Sequence, residues 1–135
     1  MTSEPGGGSD FAARLIAQGL TTIIGQRVVV DNRGFVAGDI VARAAPDGYT
    51  LILYGSPLWL APFLRKNVPF DPVKDFAPVS LVVNTPNVLV VHPAAGVKSV
   101  AELIALAKAR PGELNYSSAS TGSTQHLGAE VFKSM

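Results

Sequence analysis

The sequence contains no cysteine, which excludes disulfides, thiolate nucleophiles and cysteine-based zinc or iron–sulfur sites. Neither sign of charge dominates, because 11 Lys and Arg face 10 Asp and Glu, and neither sign forms a run. A nucleic-acid or anionic-membrane surface built on bulk charge is therefore not expected. No apolar run approaches the roughly 18–20 residues of a membrane span, and residues 1–10 show no signal-peptide pattern.

Hydrophobic residues make up 47% of the 135 positions, which is typical of a globular unit that buries a core. Helical patterns alternate with short apolar runs typical of strands. The predicted helices are 11–24, 37–45, 58–65, 99–110 and 125–134, and the predicted strands or extended runs are 28–30, 49–54, 79–83, 88–91 and 114–117. This alternation predicts an α/β fold with a mainly parallel sheet and flanking helices.

A glycine-rich loop precedes the first predicted helix. Gly6, Gly7 and Gly8 lead into Ser9 and Asp10. Glycines let backbone N–H groups approach a ligand, and a helix N-terminus adds unpaired donors and the positive end of its dipole, so the pattern favours an anion site. The alternative is a flexible N-terminus in which Ser9 or Asp10 is the helix N-cap. The Rossmann and Walker spacings are both missing, which disfavours nucleotide binding.

A second polar loop, residues 118–124, lies between a predicted strand and a predicted helix, and it combines hydroxyl side chains with Gly122. The same reasoning makes it a candidate anion site, although an ordinary strand-to-helix connection is also short and polar. Gly55 and Ser56 follow another predicted strand. Ligands in open α/β sheets lie outside the carboxyl ends of the strands, where these loops are expected.

The residues give little support to catalysis. Ser56 is not inside a Gly-x-Ser-x-Gly motif, and neither histidine, His92 or His126, is linked by the sequence to a nucleophile. His126 and Glu130 are four residues apart, but two ligands do not make a metal site, so an i,i+4 helix pair is the preferred interpretation. Trp59 is expected in the core rather than in a ligand pocket. We therefore predict no catalytic residue, no metal and no cofactor.

Several segments together resemble a known family. They are Pro5–Asp10, Arg27–Arg33, Ala44–Leu51, Pro69–Ser80 and the stretch from Asn115 to Leu127. Their residues, order and approximate spacing resemble the Bug family, the extracytoplasmic solute receptors of tripartite tricarboxylate transporters. Each motif alone is weak, whereas all of them in this order are specific.

The resemblance implies a type II periplasmic-binding-protein-like fold with two α/β domains, here incomplete. Residues 1–80 would be part of the first domain, and residues 81–135 the crossover and first half of the second. It also implies a periplasmic location, a small organic carboxylate ligand and membrane permease subunits as partners. The implied ligand-binding residues are Gly7, Gly8, Ser9, Asp10, Ser56, Ala119, Thr121, Gly122, Ser123 and His126.

The chain departs from the family pattern in places. Residues 34–39 are less glycine-rich than usual, Pro57, Leu58 and Trp59 replace small polar residues, and the chain looks truncated at both ends. Uncovered sheet edges would then favour a homo-oligomer. Two alternatives stay open: a small homodimeric enzyme that reuses this half-fold, with Ser56 or His126 at its site, and a fragment without function.

Overall fold

The computed structural model describes all residues, from Met1 to Met135. The chain divides into two compact units, a first unit Met1–Asn84 and a second unit Thr85–Met135. The helices of the first unit are α1 (Gly8–Ile24), α2 (Val36–Ala42), α3 (Ser56–Trp59) and α4 (Ala61–Leu64). The second unit contains a 3₁₀ turn (Pro93–Ala95), α5 (Val100–Ala109) and α6 (Thr124–Lys133). None of these helices combines the length and the apolarity needed to cross a bilayer.

The helix boundaries follow local signals in the sequence. α1 ends at Gly25, which adopts the left-handed conformation with φ 67°. α5 begins at a capping box, in which the Ser99 hydroxyl accepts from the Glu102 N–H at 3.2 Å and the Glu102 carboxylate accepts from the Lys98 N–H at 2.8 Å. The predicted helix over 58–65 is divided at Leu60 into α3 and α4, because two prolines start separate short helices.

The predicted parallel sheet is reduced to two isolated parallel bridges, Thr2 with Asn32 and Thr2 with Leu53. The Thr2 N–H donates to the Asp31 carbonyl at 3.0 Å, and the Leu53 N–H donates to the Met1 carbonyl at 3.0 Å. Thr2 is fully buried between the two neighbouring segments. The segment before Pro5 therefore lies between the segments around Asn32 and Leu53.

The predicted strands do not form ladders, so the expectation of a mainly parallel sheet is not confirmed. An extended run becomes a strand only where another segment lies alongside and exchanges backbone hydrogen bonds with it. Residues 79–83, 88–91 and 114–117 have no such neighbour, and Leu81 is 84% exposed. The apolar run 28–30 is not buried either, since Val29 is 68% exposed.

The core of the first unit is a small cluster around Phe70. Its buried members are Leu58, Ala61 and Phe70, and partly buried Phe35, Ala42, Ile52, Tyr54, Val68 and Phe76 pack against them. The Phe70 ring centroid lies 5.6 Å from that of Phe35 and 5.7 Å from that of Phe76. The prediction of a buried Trp59 is wrong: Trp59 is 46% exposed, and the adjacent Leu58 points into the core instead.

Candidate functional site

The parallel bridges bring several predicted loops to one edge of the first unit. Thr2 runs parallel to the segments around Asn32 and Leu53, so the carboxyl ends of all three segments point the same way. The glycine-rich loop follows the first of these segments, Gly34 follows the second, and Gly55 with Ser56 follows the third. Ser56 is half-buried and is the first residue of α3. We call this edge, formed by residues 4–9, Gly34 and residues 55–56, the loop edge.

The glycine-rich loop is a tight turn that leads into α1. Gly6 has φ +81°, a left-handed conformation that side-chain-bearing residues rarely adopt. Gly7 is the N-cap of α1, with no side-chain cap, and its carbonyl accepts from the Phe11 N–H at 3.0 Å. The alternative that Ser9 or Asp10 is the N-cap is therefore wrong. Apart from its chain neighbours and the backbone of α1, no heavy atom lies within 4 Å of the position that a Cβ on Gly8 would take.

Asp10 lies in the first turn of α1 and is turned inward, with 5% of the residue exposed. Its Oδ2 accepts from the Gly6 N–H at 2.9 Å, and its Oδ1 accepts from Asn32 Nδ2 at 3.0 Å. Arg14 Nε forms an ion pair with the same Oδ1 at 3.0 Å. The Gly6 hydrogen bond, followed by those from Arg14 and Asn32, lowers the pKa of Asp10 to about 2.

Asn32 completes a closed ring of polar side chains. Its Oδ1 accepts from Arg14 Nη2 at 3.0 Å, and its Nδ2 also donates to the Ser3 carbonyl at 2.8 Å. Asp10, Arg14 and Asn32 thus contact one another pairwise, and we call them the anchor triad. The sequence analysis missed Arg14 and Asn32. The i,i+4 spacing of Asp10 and Arg14 could have indicated the first pair, but no local pattern links Asn32 to α1.

Glu4 places a negative charge at the loop edge that the sequence analysis also missed. Its Oε1 lies 3.2 Å from the position that a Cβ on Gly34 would take. Burial raises the pKa of Tyr54, and the charge of Glu4 raises it further. An anion bound at this edge would therefore depend on backbone donors to outweigh the Glu4 carboxylate.

The second predicted loop, in the second unit, leads into α6. Ser123 is the N-cap, and its hydroxyl accepts from the His126 N–H at 3.1 Å. The Gly122 N–H donates to His126 Nδ1 at 3.5 Å, and the Ser123 N–H donates to the Ser120 carbonyl at 2.9 Å. Gly122 and Ser123 are buried, whereas Ala119 and Thr121 are exposed. The predicted residues of this loop are therefore held together by local hydrogen bonds.

Because the Ser123 hydroxyl caps α6, we expect Ser123→Ala to destabilise this helix by about 1 kcal/mol without any ligand present. Amide hydrogen exchange of residues 124–133 would measure the free energy of local opening. Ser123→Thr keeps the capping oxygen and should restore protection. Ser118→Ala is the control, since the exposed Ser118 hydroxyl bonds only to the Ala119 carbonyl. Equal protection in Ser123→Ala and the wild type would contradict the capping role.

Two further titratable side chains of the second unit, Glu130 and His92, have structural partners. The Glu130 carboxylate accepts hydrogen bonds from the Tyr116 hydroxyl and from Lys133 Nζ, and Lys133 Nζ lies 2.9 Å from Glu130 Oε2. These two hydrogen bonds lower the pKa of Glu130. His92 Nδ1 accepts from the Ala94 N–H at 3.2 Å and caps the 3₁₀ turn. No group of three or more His, Cys, Asp or Glu side chains is placed to hold a metal ion.

Comparison with known proteins identifies the family. The profile of the tripartite tricarboxylate transporter family receptors matches residues 12–135. The chain belongs to this receptor family.

Curated relatives agree with this family assignment. The chain is 42% identical to Protein BugT of Bordetella pertussis (strain Tohama I), over 96% of the chain and 41% of BugT. It is 37% identical to the UPF0065 protein in the tcbD-tcbE intergenic region of Pseudomonas sp. (strain P51), over 94% of the chain and 39% of that protein. The chain thus spans about two fifths of the length of these receptor-family relatives. No solved structure matches it significantly.

Membership of the receptor family confirms the resemblance to Bug proteins. Receptors of this family are extracytoplasmic, have a periplasmic-binding-protein-like fold and are not enzymes. The alternative of a homodimeric enzyme using Ser56 or His126 gains no support, and neither does the expected homo-oligomer. The assignment of the two units to a first and a second receptor domain stays a prediction.

Proposed function

We propose that the chain contributes ligand-binding loops to an extracytoplasmic receptor that takes a small organic carboxylate and delivers it to membrane permease subunits, without catalysis. The observation that carries this proposal is the glycine-rich loop at the carboxyl edge of parallel segments, where it opens a helix of 17 residues. Membership of the receptor family supports the same function.

The physical basis for binding a carboxylate is the first turn of α1. The first N–H groups of a helix have no partner inside the helix, and they lie at the positive end of its dipole. In this chain Gly7, Gly8 and Ser9 would supply such donors at the loop edge, with Ser56 beside them. Because Gly7 and Gly8 have no side chains, a carboxylate can approach the backbone directly.

The second loop would take a carboxylate group in the same way. Ala119, Thr121, Gly122, Ser123 and His126 border the start of α6, which offers a second set of first-turn N–H groups. Donors of this kind recognise the carboxylate without reading the rest of the molecule, so the proposal names a chemical class of ligand.

The test is isothermal titration of the chain with acetate, succinate and citrate, comparing wild type with Gly8→Val. We expect the variant to bind more weakly by about 1–3 kcal/mol, because a β-branched side chain would obstruct the backbone donors. Apart from the two neighbouring residues and the backbone of α1 itself, no heavy atom lies within 4 Å of the new Cβ, so this atom causes no tertiary clash.

Gly19→Val is the matched control, since Gly19 is exposed in the middle of α1 and a Cβ added there would meet no heavy atom within 4 Å outside the backbone of its own helix. It should leave affinity unchanged. Equal affinity of Gly8→Val and wild type, with the helix content intact by circular dichroism, would remove the first loop from the binding site. Absence of binding by the wild type to all of these carboxylates would contradict the proposed function itself.

A further inference from the structure

We infer that Asp10 is a positioning residue for the glycine-rich loop: its buried carboxylate holds Gly6 in place, with Arg14 and Asn32 as partners, and does not itself contact the ligand. This inference rests on the proposed function, and it assigns Asp10 a different role from the direct ligand contact that the sequence predicts.

The hydrogen bonds of Asp10 all run to its own chain. Both carboxylate oxygens are engaged, Oδ2 by the Gly6 N–H at 2.9 Å and Oδ1 by both Asn32 and Arg14 at 3.0 Å. The residue is 5% exposed. An incoming carboxylate would meet a negatively charged group there, so direct contact with Asp10 would be unfavourable for it.

The anchor triad also ties the loop to the parallel segments beneath it. Asn32 lies at one of the two parallel bridges, and its amide donates to the Ser3 carbonyl at 2.8 Å, just before the loop. Three successive glycines are the most flexible sequence a loop can have, and ordering them costs conformational entropy. The Asp10–Gly6 hydrogen bond orders the first of these glycines in the ligand-free protein. Ligand binding would then lose less conformational entropy, which favours a higher affinity.

Arg14 balances the charge of this arrangement. Its side chain is 56% exposed, and it bonds to both Asp10 and Asn32. The positive charge of Arg14 thus offsets the negative charge of the Asp10 carboxylate. The glycine-rich loop can therefore bind an anion although Asp10 lies next to it.

Neutralising Asp10 separates an anchoring role from a purely electrostatic one, because the two predict changes of opposite sign. Removing a negative charge near an anion site strengthens anion binding, whereas losing the anchor weakens it. In Asp10→Asn one acceptor oxygen is replaced by an NH₂ group, which would face either the Gly6 N–H or the cationic Arg14. We expect at least a tenfold weaker affinity for succinate by isothermal titration.

Glu4→Gln is the matched control, since it removes the same charge at the same loop edge without touching the anchor triad. It should bind succinate at least as tightly as the wild type. Arg14→Gln is a second variant with an exposed side chain and little risk to folding, and it should weaken succinate binding several-fold. Equal or tighter binding by Asp10→Asn would overturn the inference.

Amide hydrogen exchange of Gly6 tests the anchor without ligand. The Gly6 N–H should be protected in the wild type and should exchange at least tenfold faster in Asp10→Asn, while the amides of α5 stay unchanged. If the wild type binds no carboxylate but Gly6 behaves in this way, the proposed function fails and the anchor stands. If Gly6 protection is the same in both proteins, the anchor is wrong whatever the titrations show.

Discussion

Replacing Gly38 with alanine should destabilise the first unit by about 1–3 kcal/mol, the usual cost of overpacking a core. A Cβ on Gly38 would lie 2.5 Å from Phe70 Cε1, 2.7 Å from Phe70 Cζ and 3.0 Å from Leu58 Cδ1. Phe70 and Leu58 are both buried in the core cluster, so the ring cannot swing into solvent to make room. Gly38 is therefore present because α2 lies against the core more closely than any side chain allows.

Gly19→Ala is the matched control for this prediction. Gly19 is an exposed residue in the middle of α1, and outside the backbone of that helix no heavy atom lies within 4 Å of an added Cβ. The same substitution should here stabilise the protein by up to about 1 kcal/mol, because alanine has the higher helix propensity. Urea unfolding followed by circular dichroism measures both variants. If Gly38→Ala also stabilised the protein, the close packing of α2 on Phe70 would be wrong.

A second substitution identifies the clashing atoms. Phe70→Leu removes the ring atoms Cε1 and Cζ that block the new Cβ, at the cost of a smaller core side chain. Gly38→Ala should therefore cost less in the Phe70→Leu background than in the wild type. Additive effects of the two substitutions would place the clash elsewhere.

The helices could be predicted from the sequence because their signals are local. Ser99 and Glu102 lie three residues apart at the start of α5, and Gly25 directly follows the last residue of α1. The strands could not be predicted in the same way. Residues 79–83 have strand-forming composition, but a ladder requires a second segment alongside, and the residues themselves do not say whether one is present.

In the candidate site, too, the features set by neighbouring residues could be predicted, whereas those that depend on residues distant in sequence could not. The glycine-rich loop and the cap at Ser123 follow from neighbouring residues, and the structure places both at helix starts. The inward orientation of Asp10 does not follow, because it depends on Asn32, which is 22 residues away along the chain. A carboxylate at the start of a helix could equally face a ligand or its own backbone, and only the fold decides between them.

The core residue Leu58 should be the most sensitive aliphatic position of the first unit. Leu58 is 2% exposed and packs with Ala61 and Phe70 at the centre of the core cluster. Leu58→Ala should reduce the free energy of unfolding by about 2–5 kcal/mol, which combines the lost burial with the cavity left behind. Domains of this size are typically stable by about 5–15 kcal/mol, so the loss would be a large share of the total.

Leu64→Ala is the control, because Leu64 ends the neighbouring helix α4 and is 42% exposed. The same truncation there should cost less than at Leu58, about 1 kcal/mol, since a large part of that residue is already in contact with water. Urea unfolding of both variants would measure the two losses in the free energy of unfolding. A larger loss for Leu64 than for Leu58 would mean that the core of the first unit lies on the other side of α3 and α4. The loop edge would then be supported by a different set of residues, because α3 begins at Ser56, within that edge.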